Sequence, residues 1–99
     1  MLSAFINWAH EVKSDYAEKE VEVRVTESEA SENRSARLDL DTPSAVARIT
    51  FWETGNYYAE IIDLNTEHTV NSIGGTLQKG QVLSETFAQF FESLDTNPQ

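Results

Sequence analysis

The side chains with the means to do acid–base or metal chemistry are two histidines, His10 and His68, and 17 carboxylates. His10 falls in a helix-patterned segment and His68 near a strand. A two-histidine metal site would therefore need distant elements to meet, with a carboxylate added. The notable acids are Asp39 with Asp41, Glu53, and Glu60 with Asp63. Paired acids cleave glycosides only within a cleft that raises one pKa, and a thin sheet offers little cleft. A solvated acidic face is the expected arrangement. Gly74, Gly75 and Gly80 form neither a Gly-x-Gly-x-x-Gly turn nor a phosphate loop ending in Gly-Lys-Ser/Thr, and no serine occupies a Gly-x-Ser-x-Gly elbow. Cysteine is absent, which removes disulfides, thiolate nucleophiles and cysteine-ligated zinc or iron–sulfur centres. The expectation is a protein that is no enzyme and uses no cofactor and no metal.

Charge narrows the partners. With 17 acidic and 7 basic residues the net charge is −10, so nucleic acid and anionic membrane would both be repelled. Two readings of the charge stay open: it keeps a small domain in solution, or it steers the domain onto a basic protein. No stretch approaches the roughly 18 apolar residues of a membrane-spanning helix. The opening MLSAFINWAH lacks the basic start and unbroken apolar run of a signal peptide, so the cytoplasm is the expected location. A chain of 99 residues makes one domain, residues 1–99, with room for little more than one layer of helix on sheet.

The elements that must position these groups centre on ARITFWETGNYYAEIIDL, Ala47 to Leu64. Its two runs are β-branched and aromatic, and Thr54, Gly55 and Asn56 between them supply the positive φ of a tight reversal. Ile49 and Phe51 alternate with Val46 and Trp52, and Tyr57, Ala59 and Ile61 with Tyr58, Ile62 and Leu64, as in a hairpin at mid-sheet. Before it, Leu2, Phe5, Ile6, Ala9, Val12 and Tyr16 trace a helical stripe over about 2–18, with Ser3 as a candidate cap and Trp8 packing at the stripe's edge. Val21, Val23 and Val25 then alternate as a strand, and so do Ala36, Leu38 and Leu40 until Thr42 and Pro43. The polar segment from Glu27 to Ser35 reads as an exposed, mobile hairpin loop. A weaker strand over 68–73 ends at Gly74 and Gly75, and Val82, Leu83, Phe87, Phe90, Phe91 and Leu94 place a helix over about 81–94, followed by a frayed tail from Asp95 to Gln99.

This order predicts an α+β fold: an antiparallel meander of about five strands, over about 20–73, with the N-terminal and C-terminal helices packed on one face. The other face would then be wet, lined by Glu22, Arg24, Arg37 and Asp39, with Arg48, Trp52 and Glu60 at its centre. Which parity of the hairpin points outward stays open, since one residue of slip exchanges the faces. The acidic and aromatic side chains around the hairpin, Asp39, Asp41, Trp52, Glu53, Tyr57, Tyr58 and Glu60, are the candidate protein-binding set, because Trp and Tyr anchor interfaces and acids suit a basic partner.

At this hairpin the sequence resembles the TriTu-type immunity proteins, encoded beside polymorphic Rhs toxins of the type VI secretion system. The resemblance is carried by Leu38, Asp39 and Leu40, by Ala47 through Gly55 with Trp52, Thr54 and Gly55 as its core, by Glu60 to Asp63, and by the C-terminal aromatic helix. It covers roughly residues 36–94 and leaves the first helix and the loop from Glu27 to Ser35 outside. It implies a non-enzymatic cytoplasmic antidote, a monomer forming a 1:1 heterodimer with a cognate toxin domain. The toxin in that family is an ADP-ribosyltransferase that uses NAD and modifies the translation factor Tu. The rival readings are a small ligand-binding domain with a site between helix and sheet, and an adaptor or chaperone for a secreted protein.

Overall fold

A computed structural model describes residues 2–28 and 33–96 of the chain, all but the side chain of Thr96. The elements run α1 (Leu2–Asp15), β1 (Glu22–Glu27), β2 (Ser35–Asp41), β3 (Ala45–Trp52), β4 (Asn56–Asp63), β5 (Thr69–Thr76), α2 (Leu83–Thr86) and α3 (Ala88–Thr96). The strands form one antiparallel sheet in the order β1-β2-β3-β4-β5, so each hairpin pairs with the next and the α+β meander is as expected.

Register decides which side chains meet the helices. Val23, Leu40, Ala47, Ile61 and Asn71 stand in one cross-strand row, Leu38, Ile49, Ala59 and Ile73 in the next, and Ala36, Phe51, Tyr57 and Gly75 in a third. These rows share the covered face, and Leu38, Leu40, Ile49, Phe51, Ala59 and Ile61 are buried there. From α1 come Leu2, Phe5, Ala9 and Val12, at the three- and four-residue steps that put them on one stripe. The C-terminal segment contributes Phe87, Phe90 and Leu94.

Aromatic rings join these layers. Phe5 stacks on Phe51 with centroids 4.9 Å apart, and Trp8 stacks on Phe87 at 5.5 Å and meets Phe91 edge-on at 5.9 Å. Trp8 thus packs between the helices. Tyr16, just past α1, donates its hydroxyl to Asp95 Oδ1 at 2.9 Å and ties α1 to α3. Burial first, and then this bond to a carboxylate, push the Tyr16 phenol well above its usual pKa, so it stays protonated and donating.

Several boundaries differ from the sequence reading. α1 ends at Asp15 because Ala17 to Glu20 bring no apolar side chain to the sheet, and they turn instead. Ser3 lies exposed within the first turn of α1. In the β3–β4 turn only Gly55 has positive φ, 94°, while Asn56 already belongs to β4. Gly74 and Gly75 lie inside β5, which runs on to Thr76. There they make room for tyrosines: a Cβ on Gly75 would sit 2.9 Å from Tyr57 Oη, and one on Gly74 would sit 3.4 Å from Tyr58 Cδ1. The C-terminal helix divides at Phe87, whose φ of −103° and ψ of 12° interrupt the helix where its ring is wedged between Trp8 and Tyr57. Residues 29–32 of the expected mobile loop and residues 97–99 of the expected frayed tail lie outside the described residues.

Hairpin parity is settled by Phe51, which is buried under α1, so its neighbour Trp52 points to the opposite face and is half-buried there. Phe51→Ala should lower the unfolding free energy by about 3–5 kcal/mol, a cavity cost. Trp52→Ala should cost roughly 1 kcal/mol. Urea denaturation of the two variants checks the assignment, which equal losses would contradict.

Candidate functional site

The face of the sheet away from the helices is built from the alternate residues of the same strands. Arg24, Asp39, Arg48, Glu60 and Ser72 lie in register across all five strands, so charge alternates along this row before ending at a serine. Flanking rows hold Glu22, Asp41, Val46 and Ile62 on one side, and Thr26, Arg37, Thr50, Tyr58 and Gly74 on the other. Cross-strand neighbours of opposite sign attract at these separations, so the row supports the sheet's register as well as decorating its surface.

Asp39 is the pivot of the row. Its side chain is 10% exposed, and Oδ1 accepts from Arg48 Nε at 2.7 Å while Oδ2 lies 4.0 Å from Arg37 Nε. The hydrogen bond and charge of Asp39 hold the Arg48 guanidinium above its usual pKa, and Glu60 and Asp41 add to the effect. Arg24 Nη2 reaches Asp41 Oδ2 at 3.6 Å across a more exposed pair. These groups line an open depression of about 310 Å³, with Arg24, Asp39, Asp41, Arg48 and Glu60 beside the apolar Val46 and Ile62.

Of the seven binding candidates, Asp39, Asp41, Trp52, Tyr58 and Glu60 share this face. Tyr58 is 45% exposed beside the charged row, and Trp52 stands at its end of β3. Glu53 sits in the exposed β3–β4 turn and lines a different hollow with Leu2, Ser3, Ile6, Glu27 and Arg34. Tyr57 lies on the covered face, where it packs against Phe51 at 6.5 Å and edge-on against Phe87 at 5.0 Å. Val46 and Ile62 were absent from the candidate set, although their alternation with Ile49 and Ile61 places them here once Phe51 is known to face the helices. Their parity was readable, but its direction was not.

The titratable groups of the described residues are placed as follows. Asp39 and Asp41 line the open depression but are each engaged by an arginine, and His10 and His68 are both exposed. Among the described residues no group of three or more His, Cys, Asp or Glu side chains is placed to hold a metal ion. What the face presents is an exposed tyrosine and a half-buried tryptophan beside a banded array of charges, the side-chain types found at protein interfaces.

Comparison with known proteins bears on that reading. A family model described as immunity protein TriTu matches residues 3–93. The chain belongs to the TriTu immunity protein family. No curated protein matches it. The family match takes in α1 and residues 27–35, which the resemblance at the hairpin had left outside, so the whole helix-covered sheet is the family's unit. For a TriTu immunity protein the role is neutralisation of a toxin, which implies a protein partner.

The ion pair at the centre of the face has a measurable consequence. Arg48→Ala removes the close partner of a nearly buried carboxylate and should destabilise the fold by roughly 1–3 kcal/mol. Replacing both partners together, Asp39→Leu with Arg48→Met, should recover most of that loss. Urea denaturation of the single and double variants gives the comparison, and additive losses would contradict the pairing.

Proposed function

We propose that this protein neutralises its cognate toxin by seating the open sheet face on the toxin domain, with Trp52 and Tyr58 as anchors. The row Arg24, Asp39, Arg48 and Glu60 sets the register of the contact. The observation that carries the reading is the exposure of Tyr58, with half-buried Trp52, on the uncovered face of a sheet in a TriTu family member. Aromatic side chains ringed by polar groups are the usual centres of binding energy at protein interfaces.

Charge acts at two ranges. On the open face the carboxylates Glu22, Asp39, Asp41 and Glu60 are nearly balanced by Arg24, Arg37 and Arg48, so most of the net charge of −10 belongs to other surfaces. The excess acid draws a basic toxin toward the protein at long range, and the banded face selects it on contact. The toxin in this reading is an NAD-dependent ADP-ribosyltransferase domain of an Rhs protein delivered by type VI secretion. The antidote binds it 1:1 in the cytoplasm, without catalysis, over its active site or its target-docking surface.

Co-expression with the toxin domain encoded by the adjacent gene should restore growth. Trp52→Ala and Tyr58→Ala should each weaken binding by about 30-fold or more, with Glu11→Gln on the outer side of α1 unchanged. Failure of the wild type to restore growth with both proteins soluble overturns the immunity reading. Wild-type affinity in the Trp52→Ala, Tyr58→Ala double variant overturns the assignment of the face.

A further inference from the structure

The two edges of the sheet are unlike. β1 carries Glu22, Arg24 and Glu27 among its six residues, and charged side chains are a common means of keeping an edge strand from pairing with another chain. β5, TVNSIGGT, has no charged residue and no proline over eight positions, in a chain where charged residues make up 24%. It closes the sheet order, and α3 meets it from the covered face, where Asn71 Nδ2 donates to Ser93 Oγ at 3.0 Å. Ser72, Gly74, Gly75 and Thr76 are exposed.

Register shows which backbone groups face outward. Leu77 N donates to Gly55 O at 2.8 Å, so at Leu77 the backbone points toward β4. In an antiparallel ladder the direction alternates from residue to residue, so Gly75, Ile73 and Asn71 point inward, opposite Tyr57, Ala59 and Ile61. Ser72, Gly74 and Thr76 therefore turn their N–H and C=O groups away from β4, toward an edge that no further strand covers among the described residues. The Thr76 carbonyl accepts from Gln78 Nε2 at 3.3 Å, which marks the end of the usable run. At the other end a register shift opposite Ile61 and Ile62 brings in Val70 as an extra residue and interrupts the ladder. Between these limits, Asn71 to Thr76 is a regular, uncharged edge, and its two glycines let a neighbouring backbone approach without meeting side chains.

We infer that an extended segment of the toxin adds to the sheet as a sixth strand along β5, pairing with the outward backbone groups of Ser72, Gly74 and Thr76. The inference rests on the toxin-binding reading above. Strand addition draws affinity from main-chain hydrogen bonds and specificity from side chains on alternate positions. Tyr58, lying over Gly74 on the open face, makes this edge continuous with the proposed aromatic anchors. A second copy of the protein is the disfavoured occupant, because two chains that each carry −10 repel one another.

Amide hydrogen exchange with the purified toxin domain of the adjacent gene tests this directly. The Ser72, Gly74 and Thr76 amides should exchange fast in the free protein and at least about tenfold more slowly in the complex. Ser72→Pro, which removes an outward N–H that the β4–β5 ladder does not use, should lose about tenfold or more in affinity, while Ser72→Ala keeps it. If the wild type binds but these amides gain no protection, strand addition is overturned and the immunity reading stands. Protection that instead grows with the protein's own concentration, without toxin, overturns it in favour of a second copy. A wild type that does not bind the toxin at all overturns both.

Discussion

The stack of Phe5 on Phe51 is the contact on which the rest of the structure depends. One ring comes from the first turns of α1 and the other from the end of β3, and their near-parallel faces, 6° apart, fix which side of the central hairpin is covered. From there the aromatic contacts run through Trp8 and Phe87 to Phe91, so α1 and the C-terminal helices pack as one layer. Aromatic pairs in these geometries add to the area they bury, and a chain of this size has room for one such layer. The opposite side of the sheet must then remain open, and Trp52 lies on it, half-buried, because Phe51 faces the helices.

An uncovered sheet face has to be compatible with water, and this one achieves that by alternating charge rather than by uniform polarity. Arg24, Asp39, Arg48 and Glu60 follow one another in register, with Asp39 held at 2.7 Å by Arg48. In the proposed complex, charges set in register favour a partner with the matching band, since a mismatched one leaves charges unpaired on contact. Tyr58 and Trp52 add the apolar area that such a band lacks. In the proposed complex, selectivity and affinity thus come from different residues of the same strands.

Much of this was legible in the sequence because period-two and helical spacing survive folding unchanged. The five strands, the covering helices and the opposed parities of the hairpin all follow from which apolar residues alternate, as in Ile49 and Phe51 against Val46 and Trp52. What was not legible depends on contacts between distant residues. Tyr57 and Tyr58 are indistinguishable by type, and only packing on Phe87 assigns Tyr57 to the covered side. Gly74 and Gly75 read as a strand end by local rules, whereas β5 continues through them beside the rings of both tyrosines. The interruption at Phe87 likewise coincides with a ring held from both sides. Strand alternation did place Arg24, Arg37 and Arg48 on the wet face, but not the 2.7 Å bond by which Arg48 engages Asp39.

The two tryptophans report on the two faces, Trp8 between the helices and Trp52 on the open sheet. Labelling this protein alone with 5-fluorotryptophan gives one fluorine resonance for each, free of any signal from the toxin. On titration with the toxin domain, the Trp52 resonance should shift or broaden and the Trp8 resonance should stay in place. A Trp52 resonance that is unmoved while Trp8 shifts would contradict the account, placing the toxin against the helical layer instead.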